Sequence, residues 1–334
     1  MVPDLTISSI NHNNPELLRQ SLRSLHAHTH RITFDVWIVD NATDGRLVDE
    51  IRAEFPNAKW LFNDRKNGFS TNHNRVLACA EGRYVCLLND DTLIHDGALD
   101  ELVRFLDQNP RAGMAGPRLL NPDGSSQNSA FRDKSLLGEL IDISLLPGAA
   151  NRIKRWGIDP AQFADRSARV DWVLGACIVV RRQALRQIGL LDEVLSPVAN
   201  CEEIDFCRRA RQAGWDVAFV PSAKVLHYGG QSMKRHQPGA DFYRVEMYRA
   251  TLAYFHKHCG RMSSALLRLI YLITLPWNAL MLGQSVLRGR TDRAQAASHW
   301  ATLLRIGAVA LKPLKRSTPR PGGVSPPAKP QVAA

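Results

Sequence analysis

No GxGxxG and no GxxxxGK[ST] pattern occurs in the 334 residues. The glycine-rich phosphate cradles of dinucleotide dehydrogenases and P-loop nucleoside triphosphatases are therefore excluded. The six cysteines, at 79, 86, 177, 201, 207 and 259, form no CxxC pair and no zinc-type spacing. Most lie in apolar or helical surroundings, so reduced, buried thiols and a cytosolic setting are expected. The first residues, Met1-Val-Pro-Asp-Leu-Thr6, offer neither a basic segment nor an apolar run, and no signal peptide is expected. Acid is scarce toward the C-terminus: residues 231–334 hold 16 of the 43 Lys and Arg but only 3 of the 32 Asp and Glu. The net charge of +11 thus belongs to that region, since the rest is near neutral. A uniformly basic chain would suggest nucleic acid. A basic, apolar region on a near-neutral domain suggests an anionic membrane surface instead.

What is present begins with an apolar run that breaks off into acid: Tyr84-Val-Cys-Leu-Leu88 followed by Asn89-Asp90-Asp91-Thr92. Such a strand is buried on both faces, as in a parallel sheet, and open α/β sheets bind ligands at the C-terminal ends of their strands. Two carboxylates there suit a hard divalent cation holding a diphosphate. Taken alone, the pair also reads as a solvated turn with a helix cap.

Strand and helix signals alternate from the start. Leu5–Ile10 reads as a strand, and Asn14 offers an N-cap with Pro15 at the first helical position and Leu18, Leu22 and Leu25 on one face. Phe34–Val39 is a second strand ending in Asp40-Asn41. A helix over Arg46–Phe55, a strand at Lys59–Phe62, a polar loop and a helix over Thr71–Glu81 follow, the last stopped by Gly82. A further helix carries Leu99, Leu102, Val103 and Leu106. Strands about 25 residues apart, each followed by a helix, predict a Rossmann-like, mostly parallel sheet flanked by helices. The pattern weakens between Asn121 and Asp171, where an irregular basic, aromatic stretch through Trp156 suits a binding loop or lid. It returns as strand over Val170–Arg182, helix over Glu203–Ala213, a last strand over Trp215–Val220 and a turn at His227-Tyr-Gly-Gly230.

The second group of acids is Asn200-Cys-Glu202-Glu203-Ile-Asp205. Three acids in a helix's first turn complement its dipole. They also offer a carboxylate able to take a proton from a hydroxyl. A helix N-terminus lowers a carboxylate's pKa and would weaken such a base, so neighbouring acids must compensate.

The order of these motifs resembles the family 2 glycosyltransferases, inverting enzymes of the glycosyltransferase A fold, and is most similar to the bacterial members that include rhamnosyltransferases. The matching pieces are Ser9-Ile-Asn11-His12-Asn13, Val39-Asp40-Asn41, Asn67-Gly68-Phe69 with Asn72 and Asn74-Arg75, and Leu88–Thr92. They continue with Asp171-Trp172-Val-Leu-Gly175-Ala176, Glu202-Glu203-Ile-Asp205 and His227-Tyr-Gly-Gly230-Gln-Ser232, in family order over about residues 5–232.

The resemblance implies roles. Asp40 would accept a hydrogen bond from the N3–H of uracil or thymine, with Asn11, Asn13, Asn67 and Asn74 lining the nucleotide pocket. Asp91 would ligate Mg2+ or Mn2+, since it matches the last acid of the family's metal motif and adjacent extended residues point opposite ways. Asp90, where many relatives have proline, is assigned to the nucleotide side. His227 would approach the same cation or the diphosphate. Glu203 stands where the family usually has a catalytic Asp and would deprotonate the acceptor hydroxyl, with Glu202 as alternative base and Asp205 orienting either one or an arginine. Trp172, Gly175 and Ala176 would form the acceptor wall.

These roles divide the chain into a nucleotide-sugar-binding catalytic domain over 1–232, a helical, membrane-associating C-terminal appendage over 233–312 and a disordered basic tail over 313–334. Leu266–Gly283 is nearly apolar but interrupted by Pro276. It is expected to lie in the cytosolic leaflet rather than to span it, or else to pack on the catalytic domain or form a dimer contact. The expected activity is inverting transfer of a sugar, rhamnose or else a hexose, N-acetylhexosamine or galactofuranose, from a nucleoside-diphosphate donor to a lipid-linked glycan or polysaccharide at the inner face of the plasma membrane. The alternative is a catalytically silent glycan- or lipid-binding module of the same fold. Nucleic acid is not expected as a partner, because the basic tail lacks interleaved aromatics.

Overall fold

Four apolar runs make the parallel half of the sheet: Leu5–Asn11 (β1), Phe34–Asp40 (β2), Lys59–Phe62 (β3) and Tyr84–Asn89 (β4). Every residue of β1 is buried, as the unbroken run requires of a strand covered on both faces. The register pairs Asn11 with Asp40 and Ile10 with Asn89, so three polar side chains arrive together at the C-terminal edge. Alternate residues of β4 enter opposite cores. Tyr84, Cys86 and Leu88 pack with α1 (Pro15–His28), α2 (Val48–Glu54) and α4 (Ala98–Gln108). Val85 and Leu87 pack with α3 (Phe69–Leu77), α6 (Arg182–Ile188) and α7 (Glu202–Gln212). Each fully buried Leu or Ile in these layers contributes about 1.5–3 kcal/mol.

The computed structural model describes residues 2–45, 47–143, 166–195, 201–229 and 240–314. The stretch through Trp156, Arg46, Asn200, Gly230 to Ser232 and the tail beyond 314 lie outside the described residues. After β4 come β5 (Thr92–Ile94), β6 (Ala112–Leu120), β7 (Ser126–Gln127), β8 (Ala130–Phe131) and α5 (Leu136–Ile143). They are followed by β9 (Ala168–Val170), β10 (Trp172–Val173), β11 (Cys177–Arg181) and β12 (Asp216–His227). The sheet runs β3-β2-β1-β4-β11-β6-β12-β5, with β7 on β6 and β9 on β12. The half beyond β4 is mixed: β11 is antiparallel to β4 and β6, and β12 is parallel to β6. Two pairings position the site. Cys177 opposite Leu88 sets Gly175 and Ala176 beside the end of β4, and His227 opposite Thr92 sets the end of β12 beside the acids.

The last strand therefore differs from its reading. It crosses an irregularity between Val220 and Lys224 and runs to His227, which ends a strand rather than opening a turn. The helices expected to start at 46 and 71 start at Val48 and Phe69, and the second stops at Leu77. Asn14 stands before α1, but its side chain makes no cap bond.

The C-terminal region is three helices: α8 (Ala240–His258), α9 (Gly260–Leu287) and α10 (Arg293–Leu311). Pro276 does not interrupt α9. Its side chain faces solvent, and packing on the opposite side of the helix carries it through the missing hydrogen bond. These helices are no loose appendage. Tyr248, Leu252, Tyr254, Phe255, Leu267 and Tyr271 form one core with Cys201 and Ile204 at the start of α7.

Candidate active site

Asp90 and Asp91 form the tight link between β4 and β5, and their side chains diverge. Asp91, buried, lies with Oδ1 at 3.4 Å from Nε2 of His227, also buried. Nδ1 of that ring is 2.7 Å from Oε1 of Gln127, whose amide nitrogen in turn donates to Asn121 Oδ1 at 3.2 Å. This chain of bonds orients the Gln127 oxygen toward the ring, so Nδ1–H donates and Nε2 presents its lone pair toward Asp91. Gly229, at φ +63°, turns the chain just beyond, a conformation glycine adopts without strain. A carboxylate oxygen and an imidazole lone pair facing each other fit a divalent cation.

Glu203 lies beside Gly175, just before β11. A Cβ built on Gly175 would lie 3.8 Å from Glu203 Cβ, 3.9 Å from its carboxyl carbon and 3.6 Å from the Phe69 ring. Ala176 O accepts from Asn89 N at 3.0 Å, and Asn89 Nδ2 is 3.5 Å from His227 Nε2. Contacts thus lead from Asp91 through His227 and Asn89 to Ala176, and Gly175, next in the chain, has Glu203 at van der Waals distance from the place a Cβ would take. Although one edge of Glu203 meets solvent, its carboxyl is pushed up to about 8, first by burial and then by the charge of Glu202. Its own backbone N–H and Lys134 pull the other way. The lowering expected of a helix N-terminus does not prevail, because burial and the neighbouring acid Glu202, the compensation the motif called for, outweigh it. Cys201, just before the two glutamates, has φ +64°, a strained value for a cysteine.

A third group gathers around Asp40. Its Oδ1 accepts from Asn11 Nδ2 at 2.8 Å and Thr43 Oγ1 at 2.7 Å, and Oδ2 accepts from Thr43 N at 3.2 Å. Asn11 Oδ1, buried beside it, has no hydrogen-bond partner. An orphaned acceptor is costly unless a ligand supplies a donor. Asn13 sits at φ +66° and accepts from Asp44 N at 3.4 Å. Asn67 is held by its backbone: Asn41 Nδ2 donates to its carbonyl at 3.0 Å, and its N–H donates to Asn41 Oδ1 at 2.8 Å. Asp90 Oδ2 accepts from His12 N at 3.0 Å, tying the end of β1 to the end of β4.

Three of the expected residues are anchored by contacts within the fold. Asn74, expected at the nucleotide, is buried and bonds Leu191 and Glu193: Nδ2 donates to Leu191 O at 2.9 Å, and Oδ1 accepts from Leu191 N at 2.9 Å. Asp205, expected among the catalytic acids, is fully buried between Arg209 at 2.8 Å, Lys257 at 2.6 Å and His258 at 2.7 Å. Of its two expected roles it fills that of arginine partner. Trp172 stacks on Phe131 with ring centroids 4.0 Å apart, and its Nε1 donates to Arg132 O at 2.9 Å. Two residues given no role from sequence are Asn41, quoted only within a motif, which joins the loops after β1, β2 and β3, and Gln127, which orients His227. Neither carries a local signal, because a turn asparagine and a loop glutamine are common.

The family described as Glycosyltransferase like family 2 matches residues 3–249. An N-acetylglucosaminyl-diphospho-decaprenol L-rhamnosyltransferase of Mycobacterium tuberculosis is 30% identical over 260 residues, 72% of this chain and 80% of that one. The rhamnosyltransferase WbbL of Escherichia coli K12 is 22% identical over 226 residues, 66% of this chain and 81% of that one. The structure of the mannosyltransferase PcManGT from Pyrobaculum calidifontis, in complex with GDP-Man and Mn2+, is similar at a TM-score of 0.56. It is 14% identical, with 93% of this chain and 87% of that one covered. That of GalNAc-T7 with UDP, GalNAc and Mn2+ gives 0.54 at 14% identity over 77% of this chain, which spans 51% of that one.

Proposed function

This chain belongs to glycosyltransferase family 2 and has the glycosyltransferase A fold, and from that premise we propose that it moves rhamnose from a nucleoside-diphosphate donor to a hydroxyl of a lipid-linked glycan, with inversion. The relatives' names support the sugar and the acceptor class. The observations that support the chemistry most are the buried Asp91–His227 pair at the ends of β4 and β12 and the placing of Glu203 beside Gly175, whose neighbour Ala176 is bonded to the end of β4.

In this reading Asp40 and the orphaned Asn11 oxygen take the donor N–H of the nucleobase, with Asn13 and Asn67 on the loops around it. Asp91 and His227 would hold Mg2+ or Mn2+, in keeping with the donor set. When bound, the ion offsets the negative charge that develops on the departing nucleoside diphosphate. Glu203 takes the proton of the acceptor hydroxyl as its oxygen attacks the anomeric carbon in line. The bond from that carbon to the diphosphate oxygen breaks, and the electron pair leaves with the diphosphate. Gly175, without a side chain, lets the backbone before β11 lie close to Glu203 on the acceptor side, and no covalent intermediate is needed.

The test is turnover of deoxythymidine-diphosphate rhamnose on a polyprenyl-diphosphate-linked N-acetylglucosamine, with Mn2+ and with chelator. Inverted product formed only with metal is expected. Donor binding without turnover on any acceptor would favour the silent module instead. Gln127→Ala is expected to lower metal affinity about 10–100-fold through the freed His227 ring, read from the Mn2+ dependence of turnover.

A further inference from the structure

The apolar face of α9 is open to solvent among the described residues. Met262, Leu266, Leu269, Ile273, Trp277 and Leu280 are 41–74% exposed and recur every three or four residues, so they fall on one side of the helix. That stripe is about 27 Å long at 1.5 Å per residue. The opposite side is committed to protein: Ser264, Leu267, Tyr271, Thr274 and Asn278 are buried, and Asn278 Nδ2 donates to Ile143 O at 2.9 Å. By length and composition α9 could cross a bilayer. A crossing helix, however, would have to give up that buried polar face, whereas a helix lying flat keeps it.

The neighbouring helix also exposes apolar side chains. α10 runs back along α9, with Arg268 donating to Lys312 O at 2.8 Å near one end and Ser285 Oγ 2.6 Å from Thr291 Oγ1 at the other. It exposes Leu304 and Leu311. Exposed cations stand at both ends: Arg261 and Lys312 at one, Arg288, Arg290 and Arg293 at the other. The acids that could neutralise them are few, Asp241, Glu246 and Asp292. Glu246 pairs with Arg249, and Asp292 caps α10 through Gln295 N.

We propose that α9 and α10 form a docking face for an anionic bilayer, with the α9 stripe entering the acyl boundary and the terminal arginines on the headgroups. The inference rests on the reading above in one respect, that the acceptor is lipid-linked; the surface is argued from α9 and α10 alone. Lying flat keeps the catalytic domain over the surface from which such an acceptor would be presented.

The test is sedimentation of the full chain with vesicles of phosphatidylcholine, with and without phosphatidylglycerol. Binding is expected to the anionic vesicles, and a fraction should stay bound in high salt because apolar insertion is not screened. Leu269→Gln with Ile273→Gln is expected to cut partitioning about tenfold or more without lowering the melting temperature, since both side chains are exposed. Arg288→Gln with Arg290→Gln tests the charges separately, at about fivefold per residue. Failure to bind anionic vesicles overturns the proposal. So does a dimer in light scattering that is lost on combining Leu269→Gln with Ile273→Gln, if vesicles are not bound, because the stripe would then be covered by a second copy. Turnover on a soluble acceptor analogue separates the two readings: turnover without vesicle binding removes only the docking face, and vesicle binding without turnover removes only the transferase chemistry.

Discussion

Replacing Glu203 with glutamine lowers turnover by about 10²–10⁴-fold, the contribution of a positioned general base, while donor-induced thermal stabilisation persists. The substitution keeps size and polarity but removes the proton acceptor. The pH dependence gives a sharper test. A base must be ionised to act, so kcat/KM of the wild-type protein rises as the pH passes about 8, where burial and Glu202 have moved the Glu203 carboxyl. Glu202→Gln removes the neighbouring charge, and the rise should move to lower pH while activity is retained. If Glu202 were the base, Glu202→Gln would abolish turnover and Glu203→Gln would not. The same carboxyl affects stability. Its folded pKa lies above the ordinary 4.5, so the folded state holds a proton that the unfolded chain has released. Stability therefore falls as pH rises from 4.5 to about 8 and levels beyond, and that slope is absent from the Glu203→Gln protein.

Asp205→Ala has the largest expected effect on folding, a loss of about 3–5 kcal/mol read from chemical denaturation. The magnitude follows from burial: Asp205 is 0% exposed, Arg209 11%, Lys257 12% and His258 4%, so solvent cannot screen the charges left behind. Lys257 would retain Asp192 at 2.7 Å, and Arg209 would retain Leu190 O at 2.8 Å, which keeps the loss within that range. Burial works against the Asp205 charge, yet His258, Arg209 and Lys257 outweigh it and hold the carboxyl well below the usual range. The folded pKa is depressed, so this stabilisation is complete above the unfolded value, about 4, and is lost as the pH falls below it. Because Lys257 and His258 belong to α8, the bond ties the C-terminal helices to the helix that carries Glu203. Loss of activity in Asp205→Ala should therefore follow loss of the fold and disappear at low temperature, unlike that of Glu203→Gln.

The motifs were legible because each sits where backbone pattern alone determines its place. The run Tyr84–Leu88 had to be a strand buried on both faces, so the acids after it had to reach the sheet's C-terminal edge. The same holds for Asp40 after Phe34–Val39. For Asn74 and Asp205 the motif position says which helix carries the side chain, not which way the helix is turned. Asn74 faces Leu191, and Asp205 faces α8, and both directions are set by packing partners more than 50 residues away in sequence. The raised Glu203 carboxyl is half legible in the same way: the adjacent Glu202 is read from the sequence, whereas the burial that contributes most is not.

By itself the sequence determined the alternation of strands and helices, the strand ends on which the acids fall and the concentration of positive charge after residue 231, because these depend on side-chain period and composition along the chain. Only the tertiary structure decided that β11 enters antiparallel beside β4 and brings Gly175 to Glu203, that Gln127 turns the His227 lone pair toward Asp91, and that α9 buries one face and leaves the other open. Each of these is a choice of partner between distant segments, and such choices are made by the packing of whole layers rather than by any local run of residues.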